Sequence, residues 1–319
     1  ALASIAPDIS PIAVPRTGAA HDAPCASAKT GFASASALRE AAESGAALVV
    51  CRGEAMAQAL FNIQNNYPGV HYLLFDGEPH NSSYTNYTTE SNVHCVLFQE
   101  EQAGFLAGYA AVTDGYTQLG FIGAEEIPGV VRYVTGFLQG AEYAAEQQGL
   151  TVDLRTWFAG TYSASDDTTN RMLDWCNNGT TLLFVSGGNL IASAIDAAKE
   201  TTSGNEVRVM ASDYDQNDSS DLILGSAIKC YNSAVQQELY AFFSGNAAWD
   251  QTAAGQSEKV GYTTGAVALA GPHWRFAELS QHDYERLYTQ LRNSDLKVDA
   301  YADMNTLPDT PNVMVEEQN

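Results

Sequence analysis

Two doubly wound α/β lobes follow from three observations. Apolar runs of strand length alternate with amphipathic stretches of helix length from about residue 36 to residue 213. Those runs end abruptly in glycine or aspartate. A single stretch, residues 98–149, reads helix, strand, helix without interruption. The alternation runs through two rounds, which favours two lobes over one continuous sheet.

Taken in order, ALREAAESGA reads as a helix and ALVVCRG as a strand. A helix follows over about residues 55–66, closed by Tyr67-Pro68, where proline cannot continue it. The strand HYLLFDG, the polar loop EPHNSSYTNYTTESN and the strand VHCVLFQ lead into a helix of small residues. There Ala103, Leu106, Ala107, Ala110 and Ala111 share a face, with Gly104 and Gly108 one turn apart. Such a surface is expected to pack very close to a sheet. The second round begins with the strand LGFIG and the helix VVRYVTGFLQGAEYAAEQQG, whose Val130, Val134, Phe137, Ala141 and Ala144 lie on one face. It continues with the strand VDLRTWFAGTY, the helix TTNRMLDWCNNG, the strand TLLFVSGG, a helix through Lys199 and the strand VRVMASD. Residues 1–35 are rich in Ala, Ser and Pro and show no clear period.

Composition narrows the function classes. The chain has 319 residues, 45 % of them hydrophobic, enough for two cores. Its 38 acidic against 15 basic residues give a net charge of -23, which repels nucleic-acid backbones and anionic headgroups. No apolar run is long enough to span a bilayer. Of five cysteines none forms a CxxC pair; Cys51 and Cys95 each sit in or beside a predicted strand in the same half of the chain, as buried thiols or as a disulfide. No nucleophile elbow, P-loop, HExxH or dinucleotide-binding glycine motif occurs, so no enzymatic activity and no cofactor is expected. The six histidines lack metal-ligand spacing; His71, His80 and His94 read as satisfied or surface residues, and no metal site is expected.

Candidate binding residues come from the strand ends. In open α/β sheets ligands bind beyond the carboxyl ends of the strands. Asp76 follows YLLF and Asp213 follows VMAS, in matching places of the two halves. Each can face a ligand or cap the next turn. Lys229, one of few basic residues, follows LILGSAI and can donate to ligand hydroxyls or sit in solvent. Tyr162, in the loop after WFAG, can stack on a planar ligand or pack between elements. Gly187 ends LLFVS, where a backbone can come close to a ligand.

Seven motifs add a resemblance: YPGVHYLLFDGEPHN, NVHCVLFQEEQAGFLAGYAA, LGFIGAEEIPGVVRYVTGFLQGAEYAA, FAGTYSASDD, VSGGNLIASAIDAA, MASDYDQND and GSAIKCYNSAV occur in order over about residues 36–297. Together they are similar to the BMP family (basic membrane lipoprotein, PnrA-like) of solute-binding proteins. The resemblance implies the type I periplasmic-binding-protein fold, two Rossmann-like lobes with a multi-crossover hinge. Residues 1–113 with about 230–262 would form the first lobe. Residues 117–228 with about 263–297 would form the second, leaving 298–319 as a tail. It implies an extracytoplasmic receptor, lipid-anchored in its precursor, that delivers a small polar ligand to an ABC-transporter permease. A purine nucleoside is the first expectation. A sensing module for a signalling partner and a nucleoside-processing enzyme using Asp76 and Asp213 are the alternatives. The resemblance places Asp76 at the ligand from the first lobe and Tyr162 against the base. It places Gly187, Asp213 and Lys229 around the ribose hydroxyls. A carboxylate accepting from a diol beside an ammonium donating to it suits that task. The family's N-terminal acidic loop with Ser-Phe-Asn has no counterpart in residues 1–35, where Asp8 is the nearest candidate.

Overall fold

The computed structural model describes residues 12–15, 26–27, 35–244, 249–271, 273–301 and 303–318. Asp8 and Cys25 lie outside them. The chain divides into two compact units: residues 1–98 with 232–260, and residues 99–231 with 261–319. It therefore passes from one unit to the other three times.

The first unit holds β1 (Ile12–Pro15), β2 (Ala26–Ser27), α1 (Ala35–Glu43), β3 (Ala46–Arg52), α2 (Glu54–Ile63), β4 (His71–Phe75) and β5 (Val93–Phe98). Three further elements of the chain, α3 (Glu100–Thr113), β6 (Gln118–Gly123) and α4 (Pro128–Gln148), open the second unit. There follow β7 (Val152–Phe158), α5 (Asp166–Asn177), β8 (Leu182–Ser186), α6 (Leu190–Glu200), β9 (Arg208–Asp213) and β10 (Ile223–Lys229). The chain returns to the first unit with α7 (Tyr231–Phe243), a helical turn Trp249–Ala253 and β11 (Gln256–Val260). It finishes in the second unit with β12 (Val267–Leu269), α8 (Gln281–Arg292) and β13 (Val313–Glu317).

In the first unit β3, β4, β5 and β11 run parallel, and β1 joins β3 antiparallel. Alternate strand residues Val49, Cys51, Tyr72, Leu74 and Cys95 form one core with α1 and α2. Cys51 and Cys95 are both buried and both free thiols, and burial pushes both pKa values up.

In the second unit the sheet order is β12-β10-β9-β8-β6-β7-β13. From β6 to β10 this is the 2-1-3-4-5 order of a doubly wound sheet, whose switch point lies between β6 and β8. Ile122, Leu183, Val185 and Ala211 pack with Trp175, Leu190 and Ala194 of α5 and α6 on one face. On the other face Phe184 meets Phe121, Tyr133 and Phe137, with ring centroids 5.0 to 5.9 Å apart. Proline in the first turn of α4 and Gly149 at φ 66 after its end bound that helix as their backbones require.

Two boundaries differ from expectation. The first unit ends at Phe98, not at residue 113, and α3 belongs to the second unit. Residues 298–319 are not a separate tail: β13 extends the second sheet, pairing parallel with β7 from Val313↔Val152 to Glu317↔Thr156. The reason for the first difference is the α3–α4 contact. The glycines of α3 face α4 rather than the sheet. A Cβ on Gly108 would stand 2.0 Å from the Phe137 carbonyl oxygen, and one on Gly104 would stand 2.2 Å from that of Tyr133. Reciprocally, Gly136 and Gly140 of α4 leave only 2.0 Å to the carbonyl oxygens of Glu101 and Phe105. Four glycines, paired one turn apart on each helix, let the two backbones touch. α3 is accordingly buried around nearly its whole circumference.

Added methyls at this contact meet backbone, which cannot rotate away. Gly108→Ala and Gly136→Ala are each expected to cost about 3 kcal/mol or more, the upper end of overpacking, read as a lower melting temperature. Gly129→Ala serves as the control in α4, because its nearest neighbour is a side-chain oxygen 3.5 Å from the added carbon. It should leave the melting temperature unchanged or slightly raised, as alanine favours a helix over glycine.

Candidate functional site

The second unit gathers four of the five expected residues at the carboxyl edge of its sheet. Asp213 ends β9 and Lys229 ends β10; the strands are parallel, with Ile228 opposite Asp213. Gly187 directly follows β8, and Tyr162 lies in the turn after β7. The fifth, Asp76, follows β4 at the same edge of the first unit's sheet.

Lys229 is the centre of the group. Its side chain is 7 % exposed, and its Nζ lies 2.9 Å from Glu100 Oε1 and 3.1 Å from Asp213 Oδ1. A buried ammonium is costly unless paired, and here it has two carboxylates. Glu100 Oε2 in turn accepts from Arg132 Nε at 2.7 Å. Two acids and two bases therefore alternate: Asp213, Lys229, Glu100, Arg132. Tyr133 adds a buried hydroxyl, which accepts from the Asp213 amide at 3.3 Å and lies 3.4 Å from the Ala227 carbonyl. Its ring stands 5.6 Å from the Lys229 ammonium, and burial, then the Asp213 charge, raises its pKa well above normal. Glu101, next along α3, is held above the usual carboxylate range by burial and by Glu100.

Both strand-end aspartates adopt left-handed backbone, φ 56 at Asp76 and φ 69 at Asp213. Among non-glycine residues Asp tolerates this comparatively well, and it turns the carboxylate off the strand line. Asp76 pairs with Arg52, the last residue of β3, Oδ2 to Nε 3.1 Å. Each aspartate is thus matched to a base.

Tyr162 is 43 % exposed, while its carbonyl accepts from the Asn189 amide at 2.9 Å. Its backbone is anchored to the turn after β8. Gly187 has a packing reason of its own: a Cβ there would stand 2.3 Å from the Ala124 Cβ. That contact joins the ends of β6 and β8 at the switch point.

Sequence reasoning missed Glu100, Arg132, Tyr133 and Arg52. Glu100 sits in the first turn of α3, where an acid reads as a favourable helix-dipole charge. The scarcity of bases was the available signal, since Arg132 and Arg52 belong to only 15 in the chain. The loop after Asp76 also carries an aromatic group unforeseen from its polar composition. Tyr84 stacks on His80 at 4.3 Å, and Tyr87 lies 5.4 Å from the same ring. A further polar pocket, at the start of β6 and lined by Asp153, Arg155 and Glu316, has side chains paired with one another, Arg155 to Glu316 at 3.5 Å. Among the described residues no helix is long and apolar enough to cross a membrane.

Two α/β units built on parallel strands, the second doubly wound with a charged group at its strand ends, make the kind of fold in which ligands bind beyond the carboxyl ends of the strands. The chain belongs to the ABC transporter substrate-binding protein PnrA-like family, whose sequence profile matches residues 18–298. The family comprises non-enzymatic transport components, so no catalytic role falls to Asp76 and Asp213. An ABC-transporter solute-binding protein from Aeropyrum pernix K1 shares the fold with TM-score 0.65 at 18 % identity, over 85 % of this chain and 82 % of that one. One from Conexibacter woesei DSM 14684 gives TM-score 0.63 at 16 % identity, over 86 % and 88 %. A transcriptional activator of the comK gene from Bacillus halodurans gives TM-score 0.60 at 19 % identity, over 85 % and 84 %. An uncharacterized lipoprotein of Pyrococcus abyssi is 24 % identical over 172 residues, 53 % of this chain and 41 % of that protein. The chain thus spans less than half the length of that relative.

Removing the central base should expose the logic of the group. Lys229→Ala leaves buried Glu100 to Arg132 alone and is expected to cost about 3 kcal/mol. Asp213→Asn keeps the Lys229–Glu100 pair and the left-handed backbone and should cost clearly less. Urea unfolding of both variants measures the difference; equal losses would contradict a Lys229-centred group.

Proposed function

We propose that this chain is the extracytoplasmic receptor of an ABC importer, binding a small hydroxylated polar ligand, a purine nucleoside first. The observation that carries the reading is the Asp213–Lys229 pair, Oδ1 to Nζ 3.1 Å, at the carboxyl ends of adjacent parallel strands. A carboxylate accepts from two vicinal hydroxyls while an ammonium donates to one, the pattern a ribose diol needs. Half-exposed Tyr162 lies at the same sheet edge and offers a face for a planar base. Gly187 closes the turn beside it, packed against Ala124, and Asp76 is the strand-end acceptor of the first unit.

The partner in this reading is the importer's permease. The net charge of -23 argues against nucleic acid as an alternative. The lipoprotein relative supports a place outside the membrane, with a lipid anchor as the membrane attachment. The transcriptional activator of the same fold shows that this scaffold also serves regulators, so ligand and partner must be tested separately.

A thermal-shift screen over nucleosides, bases, sugars and amino acids tests the ligand class, because binding raises melting temperature by mass action. Nucleosides should give the largest rise. By calorimetry, Asp213→Asn should weaken the best ligand more than tenfold, and Tyr162→Ala should weaken nucleosides more than free sugars. A ligand bound equally by wild type and Asp213→Asn would overturn the assignment of this site.

A further inference from the structure

The first unit contains a second group of side chains that can ligate, separate from the group around Lys229. His94 of β5, Glu238 of α7 and Glu258 of β11 each offer one ligand atom, all within 4.8 Å of one another. The register explains the meeting. β5 and β11 are parallel with His94 opposite Gln256, so His94 and Glu258, two residues on from Gln256, share a face of the sheet. Glu238 of α7 reaches the same histidine.

His94 is 2 % exposed and held in one orientation. Its Nδ1 lies 3.0 Å from both the Ala253 and Gln256 carbonyl oxygens, so Nδ1 carries the proton and donates. The lone pair of the neutral ring is then on Nε2, facing the carboxylates. Backbone carbonyls behind Nδ1 are the usual outer support of a metal-binding histidine. The Trp249 ring, edge-on at 5.5 Å, fixes the imidazole plane. Glu238 Oε2 stands 3.6 Å from Nε2, too long for a hydrogen bond. Two ligands on a tetrahedral zinc with bonds of about 2.1 Å stand about 3.4 Å apart. The spacing therefore suits a shared ion better than a direct pair.

We propose that His94, Glu238 and Glu258 bind a divalent transition cation, zinc by ligand chemistry, which ties together the two chain segments of the first unit. One imidazole nitrogen and two carboxylates form a set suited to zinc, while calcium and magnesium prefer all-oxygen shells. Exposed Glu258 leaves the outer side open, so water completes the fourth position. His94 belongs to residues 1–98, whereas Glu238 and Glu258 belong to the returning segment 232–260. The ion would close the long loop between them and so stabilise the unit as bound ligands do.

The test uses the full chain without an affinity tag, freed of metal by chelator. Titration calorimetry with zinc should show one ion per chain, and excess zinc should raise the melting temperature. Glu238→Gln and Glu258→Gln should each weaken zinc at least tenfold, and the double variant should lose the site. The exposed His282→Ala control should bind as wild type does. Cobalt should give the intense visible absorption of a tetrahedral ion, absent in the double variant. No zinc binding by the wild type, or equal affinity in the double variant, would overturn the proposal; the latter would mean surface binding elsewhere. The nucleoside screen is independent of either outcome.

Discussion

The contact on which the second unit depends is backbone against backbone between α3 and α4. Gly104 and Gly108 on one helix, and Gly136 and Gly140 on the other, remove the side chains that would separate them. The consequence is positional. Glu100 comes from the first turn of α3; Arg132 and Tyr133 come from the second turn of α4. Bringing the helices together at Gly104–Tyr133 and Gly136–Glu101 brings these three side chains onto Lys229 and Asp213 at the sheet edge. The helix pair therefore builds the polar group as well as the core.

That group resolves an apparent conflict in composition. In a chain with a net charge of -23, placing the few bases at the surface would offset the excess. Instead Lys229 is almost completely buried and bonded to two acids, and Arg132 backs one of them. Burying alternating charges is costly relative to an apolar core. Its return is a rigid set of donors and acceptors at a place where ligands bind in this class of fold. The left-handed aspartates repeat the theme in each unit, as sparsely populated backbone retained at strand ends.

Much of this was legible in the sequence, for identifiable reasons. Strands such as LGFIG and TLLFVSGG are buried on both faces and read as unbroken apolar runs. The strand-end residues Asp76, Gly187, Asp213 and Lys229 follow from where those runs stop. The unit boundary did not follow, because the alanine face of α3 matches a sheet and a helix equally well; only the glycines of α4 decide it. β13 was missed since VMVEE is short and has no helix after it to mark a repeat. Glu100 looked like an ordinary helix-start charge. His94, Glu238 and Glu258 come from three separate elements, β5, α7 and β11, so no spacing rule could join them.

The account's central claim is that the group held by α3 and α4 is the place where ligand is bound. A crystal structure of the chain with a purine nucleoside such as inosine tests it most directly. The account predicts ribose hydroxyls within hydrogen-bond distance of Asp213 and Lys229, with the Lys229–Glu100 pair preserved beneath them. A nucleoside bound with no polar contact to either residue would contradict it.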